Sequence, residues 1–329
     1  MRYFRISLLA LLALTLLFSC KKEIKLNDDW QDITIVYGIL NQQDSMHYLK
    51  ITKAFLGDGN ALQYAQISDS SHYMYKLNVL LEAWDDNNLR AIYRFDTTTI
   101  HDKDSGVFYF PNEIVYQNDS LLDARYNYKL IIRNPLTQEE IRSNTILVSD
   151  FNVDKPFAYQ ALTFDPGKTS KLEWISAAGG RLYQVFMRFY YREMLKTDTS
   201  QRVEKYVDWE ILPGKQSKND LGGEILQESY ANDGFYAQLH ASIPVNPNVD
   251  RLPRIVQYFF VVAGEDLNTY IEVTEPTNSI IQEKPVYSNI ENGIGLFSSR
   301  YIKVIDSLRL SDRTKAELKV NSLTSDLGF

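Results

Sequence analysis

The strongest constraint on the fold is an alternation of side chains from Leu182 to Arg192. Tyr183, Val185, Met187, Phe189 and Tyr191 fall on one face, and Gln184, Arg188 and Arg192 on the other. Period-two patterning over this length specifies a half-buried strand, because successive side chains of a strand leave on opposite sides. Ile255 to Ala263 is a nearly continuous apolar run, short enough for a buried central strand. Leu172-Glu173-Trp174 precedes both as a short strand. The order Trp174, Tyr183, then Tyr258-Phe259-Phe260-Val261-Val262-Ala263 is that of a fibronectin-III-type sandwich, an analogy of fold that carries no activity.

Strand-like segments also fill the first half of the chain. They are Ile33 to Tyr37, Tyr48 to Ile51, Lys76 to Trp84, Ala91 to Phe95, Tyr126 to Ile132 and Thr145 to Val148. Asp85-Asp86-Asn87-Asn88 reads as a hairpin turn between two of them. Short strands with turn signals between them predict a mainly β protein of two immunoglobulin- or fibronectin-III-like β-sandwich domains. The expected boundary is Phe151 to Phe157, around Pro156, giving domains at 31–150 and 151–329. Lys196 to Gly223 is polar and glycine-containing and reads as an excursion from the second sandwich, with a strand only at Tyr206 to Leu212. Glu265 to Val273 fits a helix or an edge strand. Thr314-Lys315-Ala316-Glu317 has capping-box form and predicts a short C-terminal helix.

The first residues carry an address. Arg2 and Arg5 precede an uncharged, leucine-rich run from Ile6 to Phe18. That run has the length of a signal-peptide core and falls short of the roughly 20 residues of a bilayer span. It ends at Leu17-Phe18-Ser19-Cys20, where a small residue precedes the only cysteine of the chain. A lipoprotein signal peptide is expected at 1–19, with lipidation of Cys20 and a polar tether over 20–30. The lipid would bind the protein to a membrane, with several acyl chains giving a stable hold. The mature chain would then have no disulfide and no thiolate chemistry.

Composition narrows the function. Hydrophobic residues make up 44% of the chain and charged residues 23%, which is a globular profile. The formal charge is −7, or −9 once Arg2 and Arg5 are removed, so no basic surface for nucleic-acid phosphates is expected. Gly293-Ile294-Gly295 opens like a dinucleotide fingerprint, but Ser298 stands at the third glycine position; a tight turn with φ > 0 feeding a strand at Leu296 to Ile305 fits instead. Asp102-Lys103-Asp104-Ser105-Gly106 with Glu113 has calcium-loop spacing at its ends only: Gly106 and Val107 occupy the fifth and sixth positions, so a polar turn is expected. His47, His72, His101 and His240 show no metal-ligand spacing, and no G-x-S-x-G is present. Nothing in the sequence calls for a cofactor. A pair of acids for glycan hydrolysis stays open, since such carboxylates need be close only in the fold. Tyr190, Tyr191 and Trp209 are read as strand core, with an aromatic ligand platform as the alternative. If a segment binds, 196–223 is favoured, because binding residues gather in loops held by a scaffold.

A family resemblance rests on several of these residues together. They are the lipobox, the strand Ile35-Val36-Tyr37-Gly38-Ile39-Leu40, the Trp174-then-Tyr183 segment, and Pro285-Val286-Tyr287-Ser288-Asn289-Ile290-Glu291-Asn292-Gly293-Ile294-Gly295-Leu296-Phe297. With these features the chain resembles Bacteroidota outer-membrane lipoproteins defined by a domain of unknown function, often encoded beside TonB-dependent receptors. The resemblance implies a β-rich lipoprotein at the outer membrane, on its periplasmic or outer face, and supplies no catalytic residues. Such bacteria O-glycosylate exported proteins at Asp followed by Ser or Thr and then an apolar residue or Thr. Asp44-Ser45-Met46, Asp96-Thr97-Thr98, Asp119-Ser120-Leu121 and Asp306-Ser307-Leu308 fit, making Ser45, Thr97, Ser120 and Ser307 the expected acceptors. The function expected from all this is that of a non-catalytic envelope lipoprotein, an accessory or ligand-binding partner of a TonB-dependent receptor. A cell-envelope glycan hydrolase and a structural or adhesive surface protein are the alternatives.

Overall fold

The computed structural model describes residues 33–54, 67–101, 111–274 and 286–329, together with Asp104, Gly106 and Tyr109. Strands take 52% of the chain and helices 12%, so the architecture is decided by how sheets pair and pack. In chain order the strands are β1 (Ile33–Leu40), β2 (His47–Ala54), β3 (Asn78–Asp85), β4 (Asn88–Ile100), β5 (Glu113–Asn118), β6 (Asn127–Arg133), β7 (Glu140–Ile146), β8 (Val153–Lys155) and β9 (Ala161–Leu162). There follow β10 (Thr169–Ile175), β11 (Leu182–Leu195), β12 (Arg202–Gln216), β13 (Ile225–Ala231), β14 (Val249–Ala263) and β15 (Ile294–Leu310). The three longer helices are α1 (Asp233–Ser242), α2 (Glu265–Thr274) and α3 (Asp312–Val320).

A 12-stranded sheet runs β12-β11-β14-β15-β1-β2-β5-β4-β3-β6-β7, with β9 beside β15. A 3-stranded sheet, β13-β10-β8, lies over it. The alternation of β11 is realised as expected: Tyr183, Val185, Met187, Phe189 and Tyr191 are all buried. β14 is the central strand between β11 and β15; its Val256, Tyr258, Phe260 and Val262 are buried, while Phe259 and Val261 on its other face are half-buried. Trp174 on β10 joins the two sheets, its ring 5.7 Å from that of Tyr183 and 5.6 Å from that of Phe260. The indole N–H of Trp174 is buried with no hydrogen-bond partner among the described residues. Trp174→Phe keeps the aromatic contact and removes the orphaned donor, so a change in unfolding free energy within about 1.5 kcal/mol is expected, read from denaturant midpoints.

β15 belongs to both ends of the large sheet. Its first part, Ile294 to Ser299, runs parallel to β1. Its second part, from Arg300 to Arg309, pairs antiparallel with β14. Gly295 makes the first pairing possible: its φ is +124°, and a Cβ there would lie 1.9 Å from the Val36 carbonyl oxygen. Two hydrophobic cores result. One gathers side chains from β10 to β15, α1 and α3, and the other those of β1 to β7. Ile290 and Phe297 join the N-terminal core although they lie far beyond residue 150. A boundary at 151–157 therefore separates most of the two cores but leaves out this returning segment.

Several expectations need correction. Lys196 to Gly223 is not an irregular excursion: most of it is β12, paired with β11 from Leu182 to Met194. β12 is the edge of the sheet, so only Val207 is buried and its sequence reads as polar. Cross-strand charges fix its register, Arg188 on Asp208 at 2.6 Å and Arg192 on Glu204 at 2.6 Å. Its edge is guarded by α1, where Gln238 donates to the Asp208 carbonyl and Gly234 admits the Trp209 ring, which a Cβ would meet at 2.6 Å. β5 escaped notice because its pattern is short and interrupted by polar residues. The strand expected at Thr145 to Val148 spans Glu140–Ile146. The C-terminal helix is capped by Ser311, whose hydroxyl accepts the Thr314 amide at 3.3 Å, not by Thr314 itself. Glu265–Thr274 is helical. The Asp85-to-Asn88 hairpin forms as expected, with Asp86 at φ 49°.

After α3 the chain turns back into the C-terminal core, burying Thr324 and Leu327 and packing Phe329 edgewise on Tyr191 and at a tilt on Phe189. Arg251, 2% exposed, secures this tail. Its guanidinium bonds Glu193 and the carbonyls of Pro244 and Leu327, and its amide donates to the Gly328 carbonyl.

Candidate functional site

The N-terminal strands curl until β7 approaches the segment that leads into β15. A single pair of backbone hydrogen bonds closes the gap, from the Arg142 amide to the Glu291 carbonyl at 3.2 Å and from the Glu291 amide to the Arg142 carbonyl at 2.8 Å. Side chains complete the closure. Ser143 Oγ donates to the Asn289 carbonyl, Asn292 Nδ2 to the Glu140 carbonyl and Ser299 Oγ to the Ile146 carbonyl. In an antiparallel ladder the residues whose backbone groups face outward alternate. Since Arg142 faces the seam, so do Glu140, Asn144 and Ile146. Among the described residues, the amide and carbonyl of Asn144 have no partner across the seam.

Two cavities meet at this point and share Asn144. One, about 400 Å³, is lined by Glu82, Lys129, Arg142, Asn289 and Glu291 among others. The other, about 140 Å³, includes Asn127, Asp220, Glu265 and Asp266. Backbone pairing around Gly264, whose amide donates to the Ser299 carbonyl at 2.9 Å, places the start of α2 against this end of the seam. The larger cavity borders Trp84 through Glu82, which accepts the indole N–H at 2.9 Å, and Lys129, whose ammonium lies 4.3 Å from the ring centroid.

On the far side of Asp266 lies an aromatic groove of about 320 Å³ lined by Tyr37, Tyr270, Tyr287, Val273, Val286 and Ile294. Tyr37 and Tyr270 meet edge to face at 6.5 Å. Tyr287 donates its hydroxyl to Asp266 at 2.5 Å. Burial first, and then that hydrogen bond, raise the Tyr287 phenol well above its ordinary range. Tyr37 is raised by burial and by Tyr270. Both phenols are therefore neutral donors at physiological pH.

The residues singled out in the sequence lie elsewhere and do not converge. Cys20, the signal peptide and the tether lie outside the described residues. Ser45 and Thr97 are exposed, the latter within β4, while Ser120 and Ser307 are half-buried. Ser307 sits at φ 62° in an irregularity of the β14–β15 ladder. Tyr190 and Tyr191 point to opposite faces, Tyr191 into the core and Tyr190 toward Tyr206, so they form no common platform with Trp209, which packs against Tyr230. The histidines are engaged separately: His47 with the Ser120 carbonyl, His72 with Glu113, His101 with Asn112 and His240 with the Leu323 carbonyl. Asp102 and Ser105 of the turn ahead of Glu113 lie outside the described residues, and Glu113 is instead held by Lys50 at 3.0 Å. No group of metal-ligating side chains occurs among the described residues.

Sequence reading missed the seam because β7 and the 286–299 segment meet only in three dimensions. The one signal was the run Tyr287-Ser288-Asn289, whose side chains fold back on the strand that follows: Asn289 bonds both the amide and the carbonyl of Phe297, and Ser288 Oγ accepts the Gly295 amide. The fold and seam define a mainly β protein with a ligand-sized groove at a strand edge. Compared with known proteins, the chain matches no family model and no curated protein.

Proposed function

We propose that this chain is a non-catalytic envelope lipoprotein, held by a lipid on Cys20, that binds a partner along the seam between β7 and the segment entering β15. The observation that carries this is the cavity of about 400 Å³ beside Asn144, walled by β7 and by Asn289 and Glu291. Three of the carboxylates around the seam serve structure: Glu265 is paired with Arg181 at 2.8 Å, Asp266 accepts from Tyr287, and Glu82 accepts from Trp84, while Asp220 and Glu291 line different cavities and do not form a pair. A general acid or nucleophile would instead need a carboxylate free to meet substrate, and this favours binding over glycan hydrolysis.

In this reading the two cores are paired sandwich-like domains, the second of fibronectin-III type, and the family is that of the Bacteroidota lipoproteins it resembles. The partner is a TonB-dependent receptor of the outer membrane, on either face. Anchoring both proteins to one membrane raises their effective concentration, so a modest intrinsic affinity suffices. Cys20→Ala is expected to release the protein from the membrane fraction, with the N-terminal lipid absent by mass spectrometry; retention of the unlipidated variant would refute the anchor. Crosslinking in intact cells with a tagged copy is expected to recover a β-barrel receptor. Glycan turnover by the purified protein that is lost on replacing one carboxylate would refute the binding reading.

A further inference from the structure

Strand register fixes the polar groups on the floor of the cavity beside Asn144. Glu82 pairs with Lys129 across β3 and β6, and Lys129 with Asn144 across β6 and β7. The next rung runs from Ile131 to Arg142 and on to Glu291. Paired residues, and residues two apart along a strand, share a face of the sheet, so these side chains stand together. Carboxylate, ammonium and amide follow one another in one row, and guanidinium and carboxylate in the next, spaced by ~4.8 Å from strand to strand. Among the described residues, the Glu291 carboxylate, the Asn144 side-chain amide and the Lys129 ammonium have no hydrogen-bond or ion-pair partner. Trp84 holds one oxygen of Glu82 through its indole N–H and carries the Lys129 ammonium over its ring.

This lining selects the chemistry of a ligand. The register sets Asn289 opposite Asn144, and side-chain bonds from Ser143 and Ser299 already bridge the two segments, so no further strand fits between them. An apolar ligand meets one apolar side chain, Ile131, since Leu130 turns into the core. The charges balance: Lys129, Arg133 and Arg142 stand against Glu82, Glu140 and Glu291, with both arginines on Glu140. An ion of either sign therefore meets a like charge beside its counter-charge. The neutral group that donates and accepts at a single atom is the hydroxyl, and a sugar ring presents several of them at adjacent positions.

We infer that this cavity holds a short segment of an uncharged glycan, whose hydroxyls donate to Glu82 and Glu291 and accept from Lys129 and Asn144. This rests on the binding function proposed above and adds a ligand held where the partner meets the seam. Trp84 is a positioning residue, acting through Glu82.

The test uses the full-length protein in a zwitterionic detergent, which brings no sugar of its own. Maltopentaose, cellopentaose and chitopentaose are the neutral probes, pentagalacturonate the anion and the chitosan pentamer the cation. Saturation-transfer NMR on the sugar protons detects binding, and titration gives the dissociation constant. At least one neutral probe is expected to bind more tightly than either charged one. Lys129 and Glu291 are exposed, so Lys129→Ala and Glu291→Ala should keep the thermal midpoint near the parent's and each weaken binding by about tenfold. Glu82→Gln combined with Glu291→Gln should admit pentagalacturonate. Trp84→Phe should weaken binding in the parent and add nothing in a Glu82→Ala background, a result that lost packing would not give. Binding of no neutral probe, a preference for a charged one, or binding indifferent to both alanine variants would overturn the inference. The crosslinking experiment above then decides separately whether the protein binds a partner at all. Cleavage of a bound probe would overturn the non-catalytic function while leaving glycan recognition at this cavity in place.

Discussion

Gly295→Ala is expected to cost at least about 4 kcal/mol and to shift the denaturant midpoint further than any other single methyl addition in the protein. The alanine methyl would stand 1.9 Å from the Val36 carbonyl oxygen and 2.9 Å from its carbon, both backbone atoms that cannot swing aside. At φ +124° the backbone is also closed to any residue with a Cβ. Gly295 pairs with Val36 inside the parallel ladder that joins β15 to β1, so relief would mean parting the two strands. Gly167 is the control. Its φ is +71° with open space around it, and alanine there should cost only about 1 kcal/mol. Equal midpoints for the two variants would refute the β1–β15 pairing.

Arg251→Met is the second large effect, expected at about 3 kcal/mol because it takes the donors from two carbonyls in the interior and leaves half-buried Glu193 with Lys205 as its one cation. Protease sensitivity should rise within residues 321–329, which the guanidinium ties down through the Leu327 carbonyl. Arg251→Lys should rescue little, since a lysine cannot place three directed donors at Glu193, Pro244 and Leu327 together. Acid titration gives an independent reading. Burial pushes Glu193 up, but Lys205 and Arg251 outweigh it and hold the carboxyl below its ordinary value of 4.5. A depressed folded pKa contributes stability that is complete above pH 4.5 and is lost as pH falls through the folded value. Removing Arg251 weakens the depression, so the variant's stability should fall less steeply than the parent's below that pH.

Elements whose information is local were legible from the sequence. The alternation of β11 showed its buried face, and the apolar run of β14 showed its central place between two neighbours, although the run hid that one of its faces is only half-buried. β12 showed neither, since an edge strand facing water looks like a loop until its charges are seen paired across to β11. Ser311 was passed over as a cap because it stands one turn before the residues that look like a capping box. The site was the least legible part. Its walls come from β7 and from residues 286–299, joined by bonds such as Ser143 to Asn289. No periodicity reports a partner that distant along the chain. Pairing of Val36 with Gly295 is equally non-local and implies slow folding, since the long loop between them must close before the contact is gained.

The shared strand also has a mechanical meaning. A protein anchored through its N-terminus, as proposed, and pulled through its C-terminal sheet is loaded on β1 from the Ile33 end and on β15 from the end that pairs with β14. The two strands run parallel through the pairs from Ile35–Ile294 to Leu40–Ser299, so the force reaches them at opposite ends and acts in shear. In that geometry the rungs carry the load together instead of opening one after another, and rupture is governed by the rate of a concerted step. In a protein anchored as proposed, the β1–β15 ladder would act as a tension bearing between the anchor and the C-terminal sheet.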